Sequence, residues 1–174
     1  QISVLSRKQT SINNAKVFLW DVYKQTIDKN AFNGIDTIIH LAGEGIADQK
    51  WTNERKKQII NSRVLSAQLL HKTIRATNAS VKTFLSECCV KWEDAADEGI
   101  ELGIRVVKIR IGLILSKKGG ALTAMEKPIK YFVGAPLGSG KQWMPWIHLD
   151  DIVKIFTKAV EDKDMIGAYN ACAP

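Results

Sequence analysis

The sequence predicts an α/β domain built on a parallel, doubly wound sheet. The first observation is the segment 35–45, where apolar residues follow one another and Gly43 and Gly45 come at the end. Successive apolar residues are typical of a strand that helices cover on both faces. The second observation is the alternation of strand-like and helix-like segments. Ligands of such sheets bind at the carboxyl ends of the strands, so the glycines mark a candidate site. An ordinary buried strand with a glycine turn is the alternative.

The first half of the chain contains three predicted strands and one long helix. The strands are 1–6, 15–19 and 35–41, and 22–34 is a helical or irregular connection. A helix is predicted over 53–77, with Thr52 or Asn53 as its cap. Its apolar residues recur at steps of three and four, namely Ile59, Ile60, Val64, Ala67, Leu70 and Ile74.

The second half continues the alternation. A strand over 81–86 precedes a helix over 88–102, which Gly103 closes. The remaining predictions are a strand over 104–115, a helix over 121–133 interrupted at Pro128, a Gly/Pro-rich loop over 134–146, a helix from Asp150 or Asp151 to about 160, and a strand over 168–171.

Composition narrows the class of protein. The 174 residues, 45% hydrophobic and 25% charged, suit one globular domain. No apolar run approaches the ~20 residues of a membrane span, so we expect no membrane partner. The three cysteines, two of them adjacent, argue against disulfides and for the cytoplasm. No Cys/His spacing indicates a metal site.

The formal net charge of +7 predicts an anionic partner, with a lysine-rich solvated surface as the alternative. The basic residues are dispersed, and no nucleic-acid-binding module is visible, so we expect no nucleic-acid partner. A phosphate-bearing small molecule fits the charge. A nucleic-acid-binding α/β protein remains a remote alternative, which predicts binding with a steep salt dependence.

Two strand ends carry residues that suit a dinucleotide. Arg7 follows the first predicted strand, where an acidic residue would bind a ribose 2′-hydroxyl and arginine accommodates a 2′-phosphate. Trp20 and Asp21 end the second strand and could flank an adenine. A surface arginine, a core tryptophan and a capping aspartate are the structural alternatives. The segment 146–151 reads as a capped helix start, and His148 with its aspartates is weak as a catalytic pair.

Segments along nearly the whole chain resemble, in the right order, the extended short-chain dehydrogenase/reductase superfamily, and most closely its sugar-nucleotide epimerase-like branch. The matching segments are 39–44, Trp51, 61–63, 92–93, 106–115, 119–122, 134–142 and 146–151. The resemblance implies a Rossmann-like fold that binds NADP(H) and acts on a small molecule, and a homodimer is compatible with it.

The resemblance also implies roles for particular residues. The cofactor residues would be Arg7 at the 2′-phosphate, Trp20 and Asp21 at the adenine, Leu41, Ala42 and Gly43 along the ribose and nicotinamide, Ser62 at a helix position where many relatives have Asn, and Ile111 and Gly112 over the nicotinamide. Trp146 and His148 would face the substrate, with 134–147 as the substrate-side loop. A valine at Gly43 is expected to block the cofactor and to leave the fold largely intact.

Parts of the family pattern have no counterpart in the sequence, so the chain is expected to be a partial dinucleotide-binding domain. The first βα unit with its glycine fingerprint would precede Gln1, and a substrate domain would follow Pro174. The family's Ser/Thr and Tyr-x-x-x-Lys would fall after Ser86, where a predicted strand runs into a helix without turn residues. Catalytic residues are therefore not assigned.

The sequence thus predicts an NADP(H)-dependent oxidoreductase or epimerase of the extended class. The alternative is a non-catalytic nucleotide-binding protein that keeps the fold without the Tyr/Lys pair. Nucleotide-sugar enzymes often have Arg-Asp just before the Phe-Ile-His segment, whereas Met144 and Pro145 stand here. That departure weakens the case for a sugar-nucleotide diphosphate as the substrate.

Overall fold

The structure, a computed structural model, describes residues 2–45, 49, 52–87, 93–136 and 139–173. Trp51, the predicted helix start 88–92, and Leu137 and Gly138 of the predicted loop lie outside the described residues. The strands are β1 Ile2–Ser6, β2 Ala15–Asp21, β3 Thr26–Ile27, β4 Thr37–His40, β5 Thr83–Glu87, β6 Arg105–Ile111, β7 Leu113–Leu115, β8 Trp146–His148 and β9 Gly167–Ala171. The α-helices are α1 Asn53–Thr77, α2 Glu93–Asp97, α3 Ala121–Lys130 and α4 Leu149–Glu161. Short 3₁₀ turns occupy Lys29–Phe32 and Ile100–Leu102.

The strands form three hydrogen-bonded groups in the described part of the chain. β4, β5, β6 and β9 form a four-stranded sheet in that order, and every neighbouring pair is parallel. β1 and β2 are also parallel, and β3 adds an antiparallel edge to β2. β7 pairs in parallel with β8. The predicted α/β fold with parallel strands is confirmed.

Helices cover both faces of the four-stranded sheet. On β5, Phe84 enters one apolar cluster, which the buried residues of α1 and α2 complete. Its neighbour Leu85 enters a second cluster on the opposite face, packed against α4. Phe84 and Leu85 are both fully buried. Because successive strand residues point to opposite faces, this alternation defines a doubly wound sheet.

β1 and β4 each lie at the edge of a sheet. In the described residues β1 is hydrogen-bonded only to β2, and β4 only to β5. The prediction that segment 35–41 is buried on both faces is therefore wrong: Ile39 is 49% exposed and Leu41 is 56% exposed. The dinucleotide-binding strand order 3-2-1-4-5-6 has one further strand between the positions of β1 and β4.

Helix α1 begins and ends where the sequence predicts. Thr52 is its cap, and its Oγ1 accepts a hydrogen bond from the backbone N–H of Arg55 at 3.1 Å. The last helix starts at Leu149 rather than at an aspartate, because His148 Nδ1 accepts from the N–H of Asp150 at 3.2 Å. The predicted helix 88–102 is two short pieces in its described part, and Gly103 ends it in a left-handed conformation as expected.

The predicted strand 104–115 is divided at Gly112. The N–H of Gly112 still bonds to Ala171 of β9, at 3.0 Å, whereas the N–H of Leu113 bonds to Pro145, at 2.7 Å. The chain thus changes partner from β9 to β8. The expected interruption of α3 is also wrong: Pro128 lies inside the helix, in its last turn, and the helix ends two residues later.

Buried histidine His40 ties β4 to its neighbours. Its Nε2 lies 2.7 Å from Oγ of Ser66 on α1, and its Nδ1 lies 3.0 Å from Oγ of Ser86 on β5. Burial, together with the nearby His71 and Arg63, lowers the pKa of His40 from 6.5 to about 4. At neutral pH this imidazole is therefore uncharged and serves as a structural link.

This shift predicts a pH dependence of stability. Between pH 6.5 and 4 the unfolded chain binds a proton at His40 that the folded chain does not. The free energy of unfolding should therefore fall by roughly 3 kcal/mol as pH decreases through that window. Urea unfolding followed by circular dichroism should show a flatter pH dependence for His40→Asn. Ser66→Ala keeps the imidazole and should keep the slope. An equal slope in His40→Asn would contradict this role.

Candidate functional site

A cavity opens at the carboxyl ends of β1, β2 and β4. Its volume is about 300 Å³. It is lined by Leu5, Ser6, Arg7, Trp20, Asp21, Val22, Tyr23, Leu41, Ala42, Gly43, Glu44 and Ser62. The residues that end three strands therefore meet at one edge, which is where ligands bind in open α/β sheets.

The cavity gathers most of the residues predicted to bind a cofactor. Arg7, Trp20, Asp21, Leu41, Ala42, Gly43 and Ser62 all line it. Ser6, Tyr23 and Glu44 were not predicted, although each is adjacent in sequence, or nearly so, to a predicted residue. Tyr23 is 59% exposed, so its ring is available to a ligand. The position of Tyr23 on the turn after β2 is the feature of the sequence that could have identified it as a site residue.

The residues at the ends of β1 and β2 have structural partners of their own. Arg7 is 77% exposed, and its Nη1 lies 3.6 Å from Oε1 of Glu44. Asp21 Oδ1 accepts from the N–H groups of Tyr23 and Lys24, at 3.0 and 2.9 Å, so it caps the turn after β2. Trp20 is only 9% exposed and packs in the core. Trp20 thus packs in the core as its structural alternative predicts, whereas Asp21 caps a turn and not a helix. Both residues also line the cavity.

Side chains of α1 hold the loop that follows β4. The N–H of Glu44 donates to Ser62 Oγ at 3.0 Å, and the carbonyl of Glu44 accepts from Arg63 Nη1 at 3.0 Å. The carbonyl of Gly45 accepts from Arg55 Nη2 at 2.8 Å. All three of these α1 residues are buried. The position of the loop therefore depends on α1 and not on exposed contacts.

Gly43 is required by the approach of Arg63. A Cβ atom at position 43 would overlap the Arg63 guanidinium and would lie 2.9 Å from its Cγ. Arg63 is 6% exposed, so it has little room to move away. A valine at Gly43 would displace Arg63, which counts against the expectation that this substitution leaves the fold largely intact.

The residues predicted on the nicotinamide and substrate side lie outside this cavity. Ile111 and Gly112 are at the carboxyl end of β6. A Cβ at Gly112 would lie 2.8 Å from the carbonyl oxygen of Pro145, so the glycine permits the close approach of β8. Trp146 lies in β8 and is 44% exposed. His148 caps α4, as its structural alternative requires.

Lys108 and Arg110 of β6 are neutralised by carboxylates of α2. Arg110 donates to both oxygens of Glu93, at 2.6 and 3.0 Å, and this hydrogen-bonded pairing lowers the pKa of the Glu93 carboxyl. Lys108 Nζ lies 2.6 Å from Oδ2 of Asp97. These ion pairs hold α2 against the sheet. Because both cations are already paired with carboxylates, we do not place an anion-binding site there.

A larger cleft, of about 550 Å³, lies elsewhere on α1. It is lined by Gln25, Gln68, His71, Lys72, Arg75, Ala76 and Glu98. It is an open groove beside the second half of α1, away from the carboxyl ends of the strands. We therefore place the candidate site in the smaller cavity.

The cavity fits part of a dinucleotide. A volume of about 300 Å³ is at the lower end of the range for small-molecule sites, so it suits one nucleoside. Arg55 Nε is buried without a hydrogen-bond partner among the described residues, and it belongs to the side chain that holds the loop.

The described residues contain no cluster of three or more metal-ligating side chains, and none of their helices has the length and apolarity to cross a membrane.

The parallel, doubly wound sheet with a cavity at its strand ends defines a Rossmann-like protein. No protein-family model matches the sequence. An epimerase family protein of Staphylococcus aureus (strain MRSA252) is 31% identical over 201 residues, which cover 99% of this chain and 67% of that protein. The chain belongs to this epimerase family, within the extended short-chain dehydrogenase/reductase superfamily. The aligned span of 201 residues exceeds the 174 residues of this chain, so at least 27 residues of the relative have no counterpart here.

Solved structures show the same fold. The human epimerase family protein SDR39U1, crystallised with NADPH, is 24% identical with a TM-score of 0.73, and the match covers 99% of this chain and 65% of that one. A nucleoside-diphosphate sugar epimerase from Corynebacterium glutamicum is 23% identical with a TM-score of 0.75, covering 99% of this chain and 46% of that one. This chain therefore spans about two thirds of the human protein and about half of the bacterial one.

The contact between Gly43 and Arg63 can be tested by stability measurements. Gly43→Ala should lower the free energy of unfolding by about 1–3 kcal/mol, because its Cβ must push the buried Arg63 aside. Gly134→Ala is the matched control: its Cβ would make ordinary contacts with Ile129, to Cγ1 at 3.4 Å and to Cα at 3.9 Å, and it should change stability by less than about 0.5 kcal/mol. In an Arg63→Ala background the cost of Gly43→Ala should shrink. The same cost in both backgrounds would refute the contact.

Proposed function

We propose that this chain binds NADP(H), with the adenosine half in the cavity at the ends of β1, β2 and β4. We further propose that it takes part in an oxidoreductase or epimerase reaction of the extended short-chain dehydrogenase/reductase class on a small molecule. The observation that carries the proposal is the convergence of Arg7, Asp21 and the loop 41–44 on one cavity. The NADPH bound by the related human protein supports the choice of cofactor.

Different residues of the cavity are proposed to contact different parts of the cofactor. Arg7 is exposed and cationic, so it can form a charge-assisted hydrogen bond to a ribose 2′-phosphate. Asp21 uses Oδ1 for the turn, and its Oδ2, 3.9 Å from Lys24 Nζ, is proposed to accept from an adenine amino group. Gly43 has no side chain, so its backbone can approach the ligand closely.

The bound cofactor would supply hydride transfer, and the protein would supply orientation and electrostatics. Ile111 and Gly112, at the carboxyl end of β6, and Trp146 and His148, on and beside β8, are proposed for the nicotinamide and substrate side. No residue of the described chain is assigned as the acid/base. The proposal therefore assigns residues to cofactor binding and none to proton transfer.

A non-catalytic nucleotide-binding role is the second candidate. The sequence contains no Tyr-x-x-x-Lys, since positions 27, 135 and 173 follow its three tyrosines by four and none of them is Lys. At least 27 residues of the staphylococcal relative have no counterpart here, and the predicted gap after Ser86 is where we expect that pair to fall. Sustained oxidation of NADPH by this chain with any of a panel of carbonyl compounds would contradict the non-catalytic role.

Cofactor selectivity tests the proposal. Arg7→Ala should weaken NADPH binding by about tenfold or more, because a charge-assisted hydrogen bond to the 2′-phosphate is lost. NADH binding should change by less than about threefold, since NADH has no such phosphate. Both affinities can be measured by nucleotide fluorescence titration. Lys16→Ala removes one positive charge from an exposed position near the start of β2 and serves as the control. Equal losses for both cofactors in Arg7→Ala would refute the assignment.

A further inference from the structure

Glu44 brings a carboxylate into the cavity assigned to the adenosine half of the cofactor. It lines that cavity together with Arg7. Its Oε1 lies 3.6 Å from Arg7 Nη1, and its Oε2 lies 3.5 Å from Arg55 Nη1. One carboxylate is thus placed between two guanidinium groups, at the point where the loop after β4 faces the end of β1.

The two arginines hold Glu44 unequally. The Arg55 side chain is 8% exposed, whereas the Arg7 side chain is 77% exposed. The backbone of Glu44 is bonded on both sides, through its N–H to Ser62 and through its carbonyl to Arg63. The carboxylate is therefore fixed by α1, and Arg7 is the partner that can move.

This arrangement has opposite consequences for the two forms of the cofactor. A 2′-phosphate must compete with Glu44 for Arg7 and is repelled by the carboxylate. An unphosphorylated ribose has a 2′-hydroxyl, which can donate to a carboxylate, as it does in NAD-binding sites. Arg7 and Glu44 thus favour different nucleotides although they lie in one ion pair.

We propose that Glu44 is a specificity-determining residue that restrains the preference for NADPH over NADH. In the cofactor-free protein it holds Arg7, and in the complex with NADH it offers an acceptor to the ribose. The inference rests on the proposed function, because it concerns the same cavity. It goes further by assigning the selectivity to a pair of residues instead of to Arg7 alone.

Glu44→Gln tests the assignment, since it removes the charge and nearly keeps the shape. The affinity for NADPH should rise about fivefold, because Arg7 is released and the repulsion is lost. The affinity for NADH should stay equal or fall, so the NADPH/NADH affinity ratio rises. Glu126→Gln is the matched control: it removes a carboxylate that pairs with Lys130 at 2.9 Å on α3, and it should leave the ratio unchanged. All titrations use one ionic strength.

A double-mutant cycle tests whether the effect passes through Arg7. In an Arg7→Ala background, the gain in NADPH affinity from Glu44→Gln should fall to about twofold or less. If Glu44→Gln fails to fold in a thermal unfolding assay, Glu44→Asp takes its place. That variant keeps the charge but shortens the side chain, which withdraws the carboxylate from Arg7, and it should raise the ratio by a smaller factor.

The outcomes separate this inference from the proposed function. If the wild-type chain binds both cofactors and folded Glu44→Gln leaves the NADPH/NADH affinity ratio unchanged, only the role of Glu44 is overturned. The proposed function then stands. A parallel loss of both cofactors also overturns it, because Glu44 would then be a general binding residue. Failure of the wild-type chain to bind either cofactor overturns the proposed function and this inference with it.

Discussion

The attachment of the β4 loop to α1 is the interaction on which the candidate site depends. Arg55, Ser62 and Arg63 are buried on one helix, and each is hydrogen-bonded to the backbone of Glu44 or Gly45. A buried hydrogen bond is costly to break without replacement, so the loop cannot leave α1 without losing three of them. The site is therefore preorganised by the longest helix of the chain.

The same helix joins the two larger sheets. One apolar cluster contains Trp20 and Phe32 from the β1–β2 side, and Phe84 and Val106 from the four-stranded sheet. Buried residues of α1 lie between them, among them Ile59 and Leu70. The cavity opens at the carboxyl edge where these two halves meet. Such a crevice between diverging strands is the usual ligand site in this class of fold.

The parts of the fold that repeat a period over many residues could be predicted from the sequence. The helix 53–77 has seven turns of consistent pattern and a good cap, so both its ends were found. β3 and β8 have two and three residues, which is too short for any period to show. The division at Gly112 could not be seen either, because it depends on which strand, β9 or β8, lies alongside.

The site shows the same limit. Strand ends and glycines indicate where a ligand could bind, so Arg7, Asp21 and the loop 41–43 were accessible to sequence reasoning. The ion pair between Arg7 and Glu44 joins residues 37 positions apart, and only the fold brings them together. The exposure of Ile39 was also hidden, because the apolar run gives no sign that β4 is the edge of its sheet in the described residues. Buried Arg55 and Arg63 would have been taken for surface charges.

The cavity at the ends of β1, β2 and β4 is proposed to receive the phosphorylated adenosine of NADP(H). Titration of the isotope-labelled chain with 2′,5′-ADP, followed by amide and indole NMR signals, is a direct test of this binding site. Saturable shifts are expected at Arg7, at the Trp20 indole and at Gly43, with little change around His71. Absence of saturable binding, or shifts confined to the cleft around His71, would contradict it.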